Sequence, residues 1–301
     1  MANTLFYLAT VLIWGSSWWA ITFQIGIVPV EVSIVYRFAG AAILLAGFCL
    51  VTGRRLGRFG LRAHGFMALQ GLSLFGVNYL LFYLATPRLT TGLIAVIFSM
   101  IVVFNMGFGA LFLGSPIRGR VALGAAIGIA GIALVFRPEI AAFDVGGGAL
   151  LGIGLSIVAT ASASLGNIVS LRNQRAGVPV IEANAFGMAY GAGFMALYAL
   201  AMGRPFAFDP SPAYVGSLLF LSVFASAIAF WCYLTLIGRV GADRGAYVTV
   251  VFPIVALGLS TLFEGFQWSG EAGVGVALVL AGNLLVLVRP RRRRTAAGTA
   301  C

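Results

Sequence analysis

Amide and phenol side chains inside long apolar stretches are the residues of this sequence that could do chemistry. Asn78 is followed by Tyr79 and, one turn later, by Tyr83, while Asn167 lies among small residues that leave space beside it. A polar side chain in such a stretch costs free energy unless it meets a partner or water. Because amides and phenols form hydrogen bonds without carrying charge at neutral pH, we expect these residues to line an internal cavity.

Arg37 is the one charged residue that lies well inside an apolar stretch. Translocon insertion scales put an arginine at the centre of a membrane helix at about 2.5 to 3.5 kcal/mol. A helix C-terminus, a carboxylate such as Glu31, or a water-filled cavity would offset that cost. We interpret Arg37 as a structural charge, and direct contact with a substrate is the alternative.

Pro253 lies in the middle of another apolar stretch, where proline removes a backbone hydrogen bond and bends a helix. Its counterpart in the first half of the chain is Met100, which follows Ser99. Kinked or broken helices at matched positions of two halves indicate a transporter binding site. We therefore add Ser99, Met100, Tyr247 and Phe252 to the candidate site and interpret Pro253 as a hinge. A hinge without substrate contact is the alternative.

Aromatic residues make up 13% of the chain, and a few lie in mid-stretch beside polar groups. Trp14 and Trp231 belong to this set, whose rings would suit an aromatic or amphipathic solute. Packing alone is the alternative explanation. The predicted substrate-binding residues are Trp14, Asn78, Tyr79, Tyr83, Ser99, Met100, Asn167, Trp231, Tyr247 and Phe252.

The residue types that are scarce or absent exclude several chemistries. All 19 basic side chains are arginine, so no lysine is there to bind phosphate in a P-loop or to form a Schiff base. One histidine, His64, and three cysteines support neither a metal cluster nor a disulfide framework. We therefore predict no cofactor, no metal site and no catalytic residue.

Ten apolar segments are predicted to position these residues. The chain is 61% hydrophobic and 9% charged, whereas a soluble domain carries about 25% charged residues. Ten spans of about 20 residues would take up roughly 200 positions and leave only short loops. The predicted spans are 3–23, 30–52, 65–86, 90–113, 121–136, 147–171, 180–202, 212–236, 244–263 and 271–288.

The distribution of arginine orients these spans. With the N-terminus inside, 15 arginines fall in inner segments and three in outer loops, which predicts cytoplasmic termini in a bacterial inner membrane. We expect the run Arg291 to Arg294 to bind anionic lipid headgroups. The net charge of +11 does not indicate nucleic-acid binding, because no basic soluble face is predicted to carry it.

The two halves of the chain resemble each other. The tripeptide Val-Pro-Val at 28–30 recurs at 178–180, and the block that begins at Thr91 matches the block that begins at Arg244. Five spans in each half would place the second half upside down relative to the first, as in many transporters. The predicted organisation is a first repeat at 1–138, a second, inverted repeat at 145–290 and a basic cytoplasmic tail at 291–301.

A family resemblance follows from the order of short motifs along nearly the whole chain. These are Trp14-Gly15-Ser16-Ser17 in the first span, a proline before the second, Arg37-Phe38-Ala39 within it, a proline in the ninth and a glycine-rich tenth. Together they resemble the EamA-type branch of the drug/metabolite transporter superfamily, close to the aromatic amino-acid exporters. The resemblance implies ten helices around a central cavity, walled mainly by spans other than the fifth and tenth, and alternating access.

The expected function is therefore a secondary transporter that exports a small neutral or zwitterionic metabolite. The lack of a predicted carboxylate in mid-membrane favours a neutral or zwitterionic solute. The resemblance to the aromatic amino-acid exporters implies amino acids such as Phe, Tyr, Trp or Met as substrates. Proton coupling through Glu264 or Glu182, near span ends, stays open. The alternatives are an exporter of other amphipathic metabolites or drugs, a passive channel and, more remotely, an intramembrane enzyme. The solute and membrane lipids are the expected partners, and the sequence is compatible with a monomer.

Overall fold

The structure is a computed structural model that describes residues 2–114, 119–135, 137, 148–240 and 247–287. Every regular element in these residues is a helix, and apart from one short turn at Leu56–Arg58 the helices join into ten rods. The rods are α1 (Ala2–Thr22), α2 (Val30–Val51), α3 (Leu61–Ala85), α4 (Thr91–Leu113), α5 (Gly119–Val135), α6 (Ala149–Arg175), α7 (Val180–Ala201), α8 (Pro212–Arg239), α9 (Tyr247–Phe263) and α10 (Gly270–Leu287).

The lengths and composition of these rods fit a membrane protein. Six of the described helices, α1, α2, α3, α4, α6 and α8, are long and apolar enough to cross a membrane, and shorter apolar helices lie within α5, α9 and α10. The predicted all-helical membrane class is therefore confirmed. The predicted basic tail at 291–301 lies outside the described residues.

The edges of two rods differ from the predicted spans. Helix α3 begins four residues early and α6 ends four residues late, so both extend beyond their apolar stretch at the same end of the bundle. Arg172 and Arg175 lie in the last turn of α6, where cations interact favourably with the negative end of the helix dipole. The guanidinium of Arg172 also lies 3.5 Å from the centroid of the Phe66 ring of α3, so these two extensions support each other.

The rods connect at two ends of the bundle. The near end is the end at which α1 begins, and its described connections are residues 52–60 and 176–179. The far end is the opposite end, with connections at residues 23–29, 86–90, 202–211 and 264–269. According to the arginine distribution, the near end would be cytoplasmic.

Helices α2 and α7 lie side by side and antiparallel, with an ion pair at each end. Glu31 in the first turn of α2 lies 3.6 Å from Arg204, just beyond the end of α7. Glu182 in the first turn of α7 lies 3.4 Å from Arg54, just beyond the end of α2. The two pairs thus occupy matching places in the two halves of the chain.

Helices α5 and α10 approach each other closely enough for their backbones to touch. A Cβ atom at Gly131 would lie 2.6 Å from the carbonyl oxygen of Gly275, and one at Gly282 would lie 2.5 Å from that of Gly124. Only glycine allows such an approach, which is how helices associate in lipid. The order of these contacts shows that the two helices run antiparallel.

This contact predicts a large difference between two glycines of α10. A methyl group at position 275 would overlap the Val135 side chain and the Gly131 carbonyl, whereas no atom lies within 4 Å of a Cβ at Gly273. We expect Gly275→Ala to cost about 1 to 3 kcal/mol through overpacking. We expect Gly273→Ala to leave stability unchanged or slightly raised, since alanine is the better helix former. Thermal unfolding of the purified variants in detergent tests this, and equal melting temperatures would contradict it.

Candidate functional site

A cleft lies about halfway along the rods, among α1, α3, α4, α6, α8 and α9. It contains about 500 Å³ of empty space, its mouth included. Among the described residues, its lining consists of Trp14, Ser17, Trp18, Ile21, Leu74, Asn78, Tyr79, Phe82, Phe98, Ile101, Asn167, Phe230, Tyr233 and Phe252.

Two matched irregularities shape the cleft. Helix α3 winds into π-helical turns at Gly71–Val77, and α8 does the same at Leu221–Ile228, in each case nine or ten residues into the rod. A π-helical turn contains more residues than an α-helical turn. It therefore changes the direction in which the side chains after it point. In both rods the residues directly after these turns line the cleft.

Close glycine contacts set the width of the cleft. A Cβ atom at Gly15 of α1 would lie 2.6 Å from the Cβ of Val255 in α9, and one at Gly166 of α6 would lie 2.6 Å from the Cβ of Leu74 in α3. Each of these glycines adjoins a residue of the lining. Glycine therefore lets α1 approach α9, and α6 approach α3, next to the side chains that form the site.

Interlocking aromatic rings form much of the wall. The ring of Trp18 lies perpendicular to that of Phe82, with centroids 5.0 Å apart. Trp14 packs against Phe230 at 4.9 Å and against Tyr233 at 4.7 Å. Edge-to-face pairs of this kind add about 0.5 to 1.5 kcal/mol beyond the area that they bury. The wall is therefore apolar and its rings are held in defined orientations.

The polar groups of the lining are uncharged. Asn167 Nδ2 donates to the hydroxyl of Tyr233 at 3.5 Å. The Oδ1 atoms of Asn78 and Asn167 are buried and have no hydrogen-bond partner in the described part of the chain. Amide oxygens that lack a partner can accept hydrogen bonds from a molecule in the cleft.

Arg37 lies behind this wall and is only 1% exposed. Its guanidinium donates to the hydroxyls of Ser226 at 2.9 Å, Tyr79 at 3.4 Å and Tyr83 at 3.5 Å, and its Cζ lies 4.4 Å from the centroid of the Tyr79 ring. The suggested partner Glu31 is instead in the far-end ion pair, because six residues of helix separate it from Arg37 by about 9 Å. Hydroxyls and a ring face thus stabilise the charge without a carboxylate.

The break in α4 orients Ser99 and Met100 away from the cleft. Met100 separates two α-helical segments with φ −66° and ψ −3°. Ser99 donates to the carbonyl of Val96 at 2.6 Å and accepts from Asn283 Nδ2 of α10 at 3.0 Å. The sulfur of Met100 would lie 2.7 Å from a Cβ at Gly128 of α5. Both residues therefore attach the α5–α10 pair to the bundle, while Phe98 and Ile101 beside them line the cleft.

The other predicted residues divide between the lining and its surroundings. Five of the ten line the cleft, namely Trp14, Asn78, Tyr79, Asn167 and Phe252. Tyr83 is fully buried on the Arg37 side, and Trp231 is 36% exposed on the outer face of α8, where it packs against Phe6. The side chain of Tyr247 lies outside the described residues. Pro253 lies within α9, one residue after Phe252 of the lining.

The similarity between the two halves of the chain could have predicted two lining residues that the sequence analysis missed. Phe230 and Tyr233 follow Tyr79 and Phe82 by 151 positions each (230 − 79 and 233 − 82), close to the offset that relates the two halves. Helical spacing from Trp14 would have added three further residues of α1. The missed lining residues are Ser17, Trp18, Ile21, Leu74, Phe82, Phe98, Ile101, Phe230 and Tyr233.

Comparison with known proteins places this architecture in a family. The model of the EamA-like transporter family matches residues 2–137 and 150–288. The uncharacterized inner membrane transporter YedA of Escherichia coli K12 is 28% identical over 294 residues, 94% of this chain and 92% of its own length. An uncharacterized transporter of Clostridium kluyveri is 23% identical over 85% of this chain and 83% of its own length. A solved crystal structure has the same fold, with a TM-score of 0.70 and 18% identity over 94% of this chain and 95% of that one.

The arrangement around Arg37 predicts the effect of removing a single hydroxyl. Ser226 supplies the shortest hydrogen bond to the guanidinium, and hydrogen bonds to charged groups contribute about 1.5 to 3 kcal/mol. We expect Ser226→Ala to lower the melting temperature in detergent by several degrees. Ser222→Ala is the matched control, since Ser222 is buried on the same turns of α8 but does not bond to Arg37. If the two variants melt together, the Ser226 hydroxyl does not stabilise the charge.

Proposed function

Since the chain belongs to the EamA-like transporter family, we propose that it exports a small neutral or zwitterionic metabolite through the central cleft. The substrates that we propose are amino acids with an aromatic or large apolar side chain, such as Phe, Tyr, Trp and Met. The observation that supports this is the lining itself, which combines aromatic rings with amides and carries no charged side chain among the described residues.

The uncharged lining favours solutes without net charge. An ion that leaves water for an apolar site loses its hydration, and this loss is recovered only if the site supplies an opposite charge or, for a cation, ring faces and oxygen acceptors. A zwitterion carries both signs, which partly compensate each other. The rings would then bind the apolar body of the solute, and the amides its polar groups.

Paired features of the two halves support alternating access. The ion pairs of α2 and α7, the π-helical turns of α3 and α8, and the matched positions Met100 and Pro253 recur in both. Inverted repeats give a transporter two equivalent gates around a central site. We therefore propose ten spans in two inverted repeats, 1–138 and 145–290, with Met100 and Pro253 as hinges.

Carboxylates near the helix ends hold rods together, which favours facilitated diffusion or exchange over a proton relay. Glu264 after α9 accepts hydrogen bonds from Thr91 N at 2.8 Å, Thr91 Oγ1 at 2.7 Å and Ser260 Oγ at 2.5 Å, and so joins α9 to α4 at the far end. Glu182 is engaged by Arg54 at the near end. Neither residue lines the cleft.

The protein is a multi-pass membrane protein, and the relative YedA is named an inner membrane transporter. We propose that this chain lies in a bacterial inner membrane with both termini in the cytoplasm, because 15 of its arginines would then be inside and three outside.

Transport of labelled amino acids into proteoliposomes tests the function. We expect the purified protein to move L-phenylalanine with saturable kinetics and to show counterflow when the vesicles are loaded with unlabelled solute. A channel would give neither property. Lack of flux for every amino acid in a screen that includes Phe, Tyr, Trp and Met would overturn the substrate assignment.

Two adjacent aromatic residues of α8 provide a matched pair for the site. Phe230 lines the cleft, whereas Trp231 lies on the outer face of the same helix. We expect Phe230→Ala to reduce phenylalanine flux at least about tenfold, because burial of one ring contributes on the order of 1.5 to 3 kcal/mol. Trp231→Ala should retain most of the flux. Equal loss in both variants, with similar amounts of folded protein, would contradict the location of the site.

A further inference from the structure

Two buried amide oxygens in the cleft lack a hydrogen-bond partner. Within the described residues, six buried side-chain polar atoms are unpaired, and only those of Asn78 and Asn167 belong to residues of the lining. These residues are 3% and 5% exposed. An unpaired buried acceptor is unfavourable and gains free energy when a donor reaches it. The two oxygens therefore indicate where a donor of the solute binds.

Three donors of the lining, those of Asn167, Trp14 and Ser17, are engaged within the protein. Asn167 Nδ2 donates to the Tyr233 hydroxyl, and this bond leaves Oδ1 of the same amide as the free atom. Trp14 Nε1 donates to the carbonyl of Ala225 at 3.1 Å, and the Ser17 hydroxyl donates to the carbonyl of Trp14 at 2.9 Å. At Asn167 the atom that remains without a partner is therefore the acceptor.

The buried cation Arg37 does not line the cleft either. Its guanidinium donates to the Ser226 hydroxyl and lies against the ring of Tyr79. Tyr79 belongs to the lining, whereas Arg37 does not. A carboxylate in the cleft would therefore not form an ion pair with a lining residue of the described chain. The polar groups of the lining therefore do not provide a binding site for a carboxylate.

The aromatic wall suits a positive group. Four rings of the lining, those of Trp14, Trp18, Phe230 and Phe252, surround the same space as the two amides. The face of an aromatic ring attracts a cation, and the attraction increases when the cation is desolvated. Rings and free amide oxygens together match a primary ammonium group on an apolar body.

We infer that the oxygens of Asn78 and Asn167 bind the ammonium group of the solute, so that the cleft selects primary amines with an aromatic or large apolar body and does not require their carboxylate. This inference rests on the proposed transport function and specifies which end of an amino acid the site recognises.

Competition against labelled L-phenylalanine in proteoliposomes tests the inference with four ligands. L-Phenylalaninamide keeps the amine and lacks the carboxylate, whereas N-acetyl-L-phenylalanine and 3-phenylpropionate keep the carboxylate and lack the amine. We expect unlabelled L-phenylalanine and the amide to compete within about threefold of each other. The two ligands without an amine should be at least about tenfold weaker, since one charge-assisted hydrogen bond is worth that factor.

The possible results separate the inference from the function. If L-phenylalanine is transported and the acetylated ligand competes as well as the amide, the ammonium site is wrong and the transport function stands. If 3-phenylpropionate competes more strongly than L-phenylalaninamide, the side-chain nitrogens of Asn78 and Asn167 face the solute instead of the oxygens. This result would also overturn the inference. If neither L-phenylalanine nor its amide is transported or quenches tryptophan fluorescence of the purified protein, function and inference both fail.

Substitutions of asparagine test the two residues directly. The wild-type protein should prefer L-phenylalaninamide over N-acetyl-L-phenylalanine by at least about tenfold. We expect Asn78→Leu and Asn167→Leu to reduce this preference to within about threefold. Asn283→Leu is the matched control, because its buried Oδ1 is also unpaired but lies outside the cleft. Asn78→Asp retains the size of the side chain and should preserve or increase the preference. An unchanged preference in both leucine variants would overturn the assignment.

Discussion

Polar groups inside this apolar bundle must find their partners within it, and the arrangement of the helices depends on this constraint. Where partners exist, they join rods: Arg37 joins α2 to α3 and α8 through three hydroxyls, and Glu264 joins α9 to α4. Each contact replaces the hydration that lipid cannot supply. Where a partner is missing in the middle of the bundle, at Asn78 and Asn167, the free atoms belong to residues that line the cleft. The missing partner and the position in the lining together, rather than either alone, mark Asn78 and Asn167 as candidate binding residues.

The same constraint explains why charge is kept at the ends of α2 and α7. Each helix starts directly after a proline, Pro29 or Pro179, and carries a glutamate in its first turn, where the helix dipole favours a negative charge. Both carboxylates are buried while their arginines are partly exposed, so the cost of desolvating the carboxylates offsets much of the attraction within each pair. Their importance here is geometric: a pair at each end fits one antiparallel register of the two helices, and each pair joins a glutamate of one half to an arginine of the other.

The helices and part of the site could be predicted from sequence, because hydropathy determines the depth of a residue and polar residues in mid-span are few. The face that a residue presents was harder to predict. Successive residues of a helix differ by about 100°, so Trp231 faces outward while Phe230 lines the cleft. The π-helical turns before Asn78 and Phe230 change the direction of the side chains that follow them. No sequence pattern predicted these turns. The backbone contacts of α5 with α10 were visible only as an excess of glycine.

The break at Met100 divides α4 into two segments whose contacts differ. Its far-end segment, Thr91–Ser99, packs mainly on α9 and also on α6 and α1, whereas its near-end segment, Ile101–Leu113, packs mainly on α6. The break at Met100 separates the two, so the first segment can move with less disturbance of the second. Such a movement would remove the two Thr91 donors of Glu264, whose carboxylate would then need water in their place, while the bond from Ser260 of α9 would remain.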